Sequence, residues 1–186
     1  MKWRHATVHH SAPHRIEVNL REISQLFNSM DPSPFQEKDL DQDAEEFIVS
    51  WAREYPRLDP VHLVIHVSQP LEGKDQPALV KQAVQHYFAY RANLSRLEFK
   101  RLMRQGRTSL IIGVAFLAAC LSISGLLGSV ATGFVRQIVR EGLFIMGWVA
   151  MWRPLEIFLY EWWPVRRLGL TYEKLSRMEV EVLAKK

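Results

Sequence analysis

Two stretches in the first half of the chain alternate apolar and polar side chains, the period of a half-buried strand. In Arg15 to Leu20, Ile16, Val18 and Leu20 face one way and Glu17 and Asn19 the other. In Val61 to Ser68, Val61, Leu63, Ile65 and Val67 oppose His62, Val64 and His66. Between them Ala44, Phe47, Ile48, Trp51 and Ala52 recur at helical spacing, which predicts a helix from about Gln42 to Tyr55, ended by Pro56. Asp41 is placed to cap it, and Asp43, Glu45 and Glu46 load the first turns, where the helix dipole favours negative charge. Ile23, Leu26 and Phe27 predict a short earlier helix, and Asp31-Pro32-Ser33-Pro34-Phe35 forces an extended turn after it. Ala6-Thr7-Val8 predicts a third strand. The first 75 residues thus read as a small α+β domain, and its two main strands, if parallel neighbours, require a right-handed crossover.

The pattern then changes period. Leu79, Val80, Ala83, Val84, Tyr87, Phe88 and Ala92 form a broad helical stripe beginning near Pro77, a residue tolerated in a first turn. This predicts a long amphipathic helix, a stalk over residues 76–107. From Leu110 to Val130 the chain carries 21 residues without one charge. As a helix that run is about 31 Å long, close to the hydrocarbon thickness of a bilayer. It is apolar on every side, unlike the core helix of a soluble protein. A second apolar stretch, Gly142 to Trp152, is too short to cross alone. Extending it forward to about Trp163 brings in Arg153, Pro154, Glu156 and Glu161 and ends in Tyr160, Trp162 and Trp163, an interfacial aromatic belt. The expectation is a transmembrane helical hairpin over residues 108–163, with Thr132 to Glu141 as the outer turn and Pro154 kinking the second arm. A re-entrant or interfacial second arm is the alternative.

Charge changes the picture by its position. The net charge of +4 and pI near 9.3 would admit a nucleic-acid reading. Yet Arg91, Arg96, Lys100, Arg101, Arg104 and Arg107 gather just ahead of the apolar run, and Arg166, Arg167, Lys174 and Arg177 follow the second arm. Basic flanks of this kind mark cytoplasmic loops and meet anionic headgroups. Arg101, Arg104, Arg107, Arg166 and Arg167 are therefore the expected lipid-headgroup flank, and residues 164–186 the basic cytoplasmic tail. The partner implied is the lipid bilayer, not nucleic acid. The one cysteine, Cys120, lies inside the apolar run, so no intrachain disulfide forms, and the basic N-terminus leads into no apolar core of signal-peptide length.

Candidate chemistry is sparse. Ala118, Ser122, Gly125 and Ser129 put small side chains at helical spacing and predict a membrane-packing face, for the second arm or for another subunit. Arg153 and Glu156, three apart, are placed to pair within or at the edge of the membrane. His9, His10, His14, His62 and His66 lack ligand spacing for a metal, and the acids from Asp31 to Glu46 lack the glycine turn of a calcium loop. No phosphate loop, nucleophile elbow or dinucleotide fingerprint occurs. Neither a cofactor nor a catalytic residue is expected.

Leu26-Phe27-Asn28-Ser29-Met30-Asp31-Pro32-Ser33-Pro34-Phe35, Lys38-Asp39-Leu40-Asp41 and Ala44-Glu45-Glu46-Phe47-Ile48-Val49, with Trp152-Arg153-Pro154-Leu155-Glu156 and Tyr160-Glu161-Trp162-Trp163-Pro164 further on, resemble a group of uncharacterised bacterial membrane proteins. The resemblance implies a bacterial source and a shared architecture, and transfers no site residue. The function expected is a non-enzymatic, membrane-anchored interaction or scaffold protein of the bacterial inner membrane, multi-pass with both termini cytoplasmic, as a homo-oligomer or with another membrane protein. A small transport or channel subunit using the charged second arm is the alternative.

Overall fold

The structure, a computed structural model, describes residues 14–56, 59–69, 75–130 and 133–184. The chain divides into two compact units. One comprises residues 1–94 together with 168–186, and the other residues 95–167.

The first unit is built on a parallel sheet of β1 (His14–Leu20), β2 (Val61–Val67) and β3 (Glu179–Ala184), in spatial order β1-β2-β3. Parallel neighbours cannot be joined by a tight turn and need long crossovers. Between β1 and β2 run two short 3-10 turns, Ile23–Leu26 and Phe35–Glu37, and α1 (Gln42–Glu54). Between β2 and β3 lies everything else, from α2 (Gln76–Val130) through α3 (Phe134–Glu156) to α4 (Trp162–Ser176).

Register explains which face is buried. Ile16 stands opposite Leu63, which stands opposite Val180, and Val18, Ile65 and Val182 align in the next row. Against this apolar face pack Ile48, Val49 and Ala52 of α1, Val80, Ala83, Val84 and Phe88 of α2, and Leu175 of α4, all buried. The opposite face aligns Glu17, Val64 and Glu181. Val64 is fully buried there. His62 reaches Glu181 at 3.6 Å and His66 reaches Glu17 at 3.8 Å.

Asp41 caps α1, accepting from the Asp43 amide at 3.0 Å. The proline turn is held by Asp31, whose carboxylate accepts from the amides of Ser33 and Asp39 at 2.9 and 2.7 Å. The Asp39 bond, followed by that from Ser33, holds the Asp31 carboxyl below its ordinary range.

One expectation is corrected in this unit. Residues 164–186 are not a basic tail: they supply most of α4 and all of β3, a strand hydrogen-bonded to the centre of the sheet. The stalk expected over 76–107 and the apolar run that follows it form one helix, α2, unbroken for 55 residues. The strand expected at Ala6-Thr7-Val8 lies outside the described residues.

In the second unit, α2 and the α3–α4 run meet along small side chains. A Cβ placed on Gly106 would stand 2.9 Å from Ile157 Cγ2, one on Gly113 3.0 Å from the Ala150 carbonyl oxygen, and one on Gly147 2.5 Å from Leu117 Cδ1. As the α2 position rises its contact on the other helix falls, so the two helices run antiparallel where they touch. Gly106, Gly113 and Cys120 are buried at seven-residue intervals, the repeat of a coiled-coil seam. The expected outer turn from Thr132 to Glu141 is mostly helix: Gly133, at φ 87°, precedes α3, which begins at Phe134. Only glycine adopts that angle readily. Two helical stretches, Gln76–Leu126 and Gln137–Ser176, are long and apolar enough to cross a membrane, and only 11% and 17% of their most apolar 18-residue windows are buried.

Candidate functional site

The second unit gathers most of the sequence-predicted site residues. Arg153 does pair with Glu156, Nη1 donating to Oε2 at 3.0 Å, but the pair is part of a triad. The same nitrogen donates to Glu161 Oε1, and Nη2 donates to Glu161 Oε2 at 3.3 Å. Residues eight apart in an α-helix are separated by about 12 Å along its axis. Two long side chains bridge that distance here across a π-helical turn, Ile157–Glu161, which resets the angle between them. The irregularity has a local cause. Pro154 has no amide hydrogen to give the Ala150 carbonyl, and the Ile157 amide is shared between the carbonyls of Arg153 and Pro154. In the π turn the Phe158 carbonyl takes a side-chain donor, the Trp162 indole, at 2.7 Å.

Beside the triad lies a groove of about 380 Å³ lined by Ser109, Ile112, Gly113, Phe116, Ala150, Arg153 and Pro154. Its walls are apolar except at the Arg153 end. Trp152, Tyr160 and Trp163, on the same arm as the triad, are exposed, at 73%, 70% and 60%.

The predicted packing face does not meet the second arm. Ala118, Ser122 and Gly125 are exposed, the Ser122 hydroxyl returns to its own helix at the Ala118 carbonyl, and an added Cβ on Gly125 meets nothing within 4 Å. The side chain of Ser129 lies outside the described residues. The seam that does pack uses Gly106, Gly113 and Cys120 of α2, at a seven-residue rather than a four-residue spacing, and Gly147 of α3. Arg101, Arg104, Arg107, Arg166 and Arg167 are all exposed, with the Arg166 guanidinium 5.9 Å from the Trp162 ring centre. Phe99 packs edge-on to Trp162, and Gly106 meets Ile157, so both basic groups lie toward the same end of this unit, away from Gly133.

The first unit holds a polar cluster that sequence reasoning missed. Glu45 of α1 accepts from the hydroxyls of Tyr87 and Tyr172 at 2.6 and 2.7 Å, and from Arg91 Nη2 and Nε at 2.9 and 3.1 Å. Arg91, which its sequence position places with the membrane flank, faces α1 instead and also donates to the Tyr172 oxygen at 3.0 Å. Burial first, then the bond to Glu45, push both phenols above their ordinary range. Burial works to lower the Arg91 pKa, but the bond to Tyr172 and the charge of Glu45 outweigh it, and the guanidinium stays charged. With donors and acceptors satisfied by one another, the cluster fastens α1, α2 and α4 together.

The acids from Asp31 to Glu46 are divided among separate tasks: Asp31 ties a loop, Asp41 caps a helix, and Glu45 joins the cluster. His14 bonds Asp59 at 3.2 Å and stacks on Tyr55. His9 and His10 lie outside the described residues. Among the described residues no three His, Cys, Asp or Glu side chains converge as metal ligands. No protein-family model, no curated protein and no solved structure matches the chain.

Proposed function

We propose that this chain is a membrane-anchored, non-enzymatic interaction protein in which α2 and the α3–α4 run cross a bilayer as a hairpin. One observation carries the topology. Because β3 is hydrogen-bonded in register to β2, the chain that leaves after Val67 returns to the same folded unit by Glu179. Any excursion into a membrane between those strands therefore makes an even number of crossings. Two helices of spanning length, with mostly exposed apolar surfaces, supply two.

The side follows from charge. Arg101, Arg104 and Arg107 on one arm and Arg166 and Arg167 on the other lie at the same end of the hairpin, and such an excess marks the cytoplasmic face. The α+β unit and both termini then face the cytoplasm of a bacterial cell. The exposed small-residue face at Ala118, Ser122 and Gly125, unused by the chain's own second arm, is available to a second copy or to another membrane protein. The non-enzymatic reading is supported by the Glu45 cluster, in which Tyr87, Arg91 and Tyr172 spend their donors on one another and on the carboxylate.

Flotation of full-length protein on a sucrose gradient with vesicles, before and after alkaline carbonate, tests the anchor. The protein is expected to float under both conditions, and release into the supernatant would overturn the reading. Turnover in a small-molecule activity screen, lost on substituting a residue of the first unit, would overturn the non-enzymatic part. The triad on the second arm favours a second reading, a transport subunit. Unchanged ion flux in proteoliposomes carrying Arg153→Ala or Glu156→Ala excludes that role for them.

A further inference from the structure

We infer that the groove between α2 and α3 seats one aminophospholipid, a lipid whose headgroup carries a primary ammonium beside a phosphate. Its acyl chain lies along Ile112 and Phe116, and its headgroup sits on Arg153, Glu156 and Glu161. The inference rests on the membrane reading above and adds a ligand to it.

Where α2 and α3 pack closely at Gly113 and Ala150, an open groove about 380 Å³ in volume runs beside the seam, lined also by Ser109, Ile112, Phe116, Arg153 and Pro154. That is room for a stretch of hydrocarbon, and the walls there are Ile112 and Phe116. Arg153 closes one end, so apolar wall and charged group are continuous in one site. Exposed Trp152, Tyr160 and Trp163 mark this level as the headgroup layer, where indole and phenol rings collect.

Charge then selects the headgroup. One guanidinium serves two carboxylates, which leaves the triad with an excess of one negative charge. A purely anionic lipid gains the guanidinium but meets the surplus acid, so net charge opposes it. A zwitterion with both groups close together matches both parts, its phosphate on Arg153 and its ammonium on Glu156 and Glu161.

Donor and acceptor capacity remains for both contacts. The guanidinium has five N–H groups against three bonds to the carboxylates, and each carboxylate accepts several donors. The side chains are 48%, 45% and 31% exposed, within reach of a ligand arriving from the lipid. A quaternary ammonium has no hydrogen to donate to a carboxylate, so a choline headgroup of the same charge binds less well.

The test uses full-length protein in vesicles of equimolar phosphatidylethanolamine, phosphatidylcholine and phosphatidylglycerol. Flotation is measured first, then mild-detergent extraction and quantitation of retained lipids by mass spectrometry. The ethanolamine lipid is expected to be retained about threefold or more over the choline lipid, since charge-assisted hydrogen bonds distinguish them. That ratio is expected to fall to the vesicle ratio in Arg153→Gln and in the isosteric Glu161→Gln, the second serving if the first fails to fold. Glu54→Gln, exposed on α1 and outside both the site and the basic flank, is expected to keep the preference. Equal retention of the ethanolamine and choline lipids, preference for the glycerol lipid, or a preference unmoved by Glu161→Gln overturns the site while leaving the anchor intact. Failure to float overturns both.

Discussion

Replacing Glu45 with alanine probes what holds the first unit together. The carboxylate side chain is only 14% exposed and accepts four bonds, from two tyrosine hydroxyls and from both Arg91 Nη2 and Nε. Removing it strands Tyr87 and Tyr172, residues 7% and 4% exposed. Each stranded hydroxyl costs about 1 to 3 kcal/mol, and here the low end applies because a neighbouring groove lined by Glu45 and Tyr172 admits water. The Arg91 side chain, 38% exposed, rehydrates, so its lost ion pair adds about 0 to 1 kcal/mol after screening. The total is about 2 to 3 kcal/mol, which speeds amide exchange through global opening roughly thirtyfold to somewhat over a hundredfold. Hydrogen exchange of α1 and β2 peptides in the full-length protein, in mild detergent, reads that change. Arg91→Met leaves the carboxylate bonded to both hydroxyls and is expected to cost about 1 kcal/mol, near the exposed-pair limit. The reasoning is refuted if Glu45→Ala changes stability by less than about 0.5 kcal/mol, the range of an ordinary surface substitution. It is equally refuted if Arg91→Met proves the costlier change.

The two phenols of this cluster carry a pH signature. Their folded-state pKa values lie above the ordinary value near 10, so their contribution is complete below pH 10 and is lost as pH climbs above it, where the unfolded chain releases protons the folded one retains. Urea midpoints are expected to fall above pH 10, and less steeply in Tyr87→Phe; equal slopes would contradict the assignment. In the second unit, Gly113→Leu forces a side chain against the Ala150 backbone oxygen and is expected to cost about 1 to 3 kcal/mol. Gly125→Leu, with nothing within 4 Å of its added Cβ, is expected to stay within about 0.5 kcal/mol. Thermal unfolding in detergent separates the two, and equal losses would refute the seam.

Local elements were legible in the sequence because local chemistry sets them. The alternation at Ile16, Val18 and Leu20 became β1, that of Val61 to Val67 became β2, and Asp41 capped a helix that ends before Pro56. The third strand of the sheet had an equal signal, Met178, Val180 and Val182 alternating with Glu179 and Glu181. It follows directly on the basic flank of the second arm, whose charge dominates the local pattern. Pairing between β2 and β3 joins residues more than a hundred positions apart, a contact no window reveals. The same holds for Glu45 with Tyr172, where each residue has an adequate local role, an acidic first turn and a helix face. Glu161 escaped the Arg153 pair because helical spacing predicts neighbours at three and four positions, and the π turn after Pro154 departs from that spacing. On α2 the small residues at helical four-residue spacing face outward, while those packed in the seam recur every seven.

Side-specific cysteine labelling tests the paired crossing most directly. In a Cys120→Ala background, single cysteines at Ser50, at Gln137 and at Arg177 report α1, the start of α3 and the exposed position just beyond α4. In intact, right-side-out cells a membrane-impermeant maleimide is predicted to label the Gln137 position at once, and the other two only after the membrane is opened. Labelling of Ser50 and Arg177 from opposite sides, or equal labelling of all three in a protein recovered without detergent, would contradict the account.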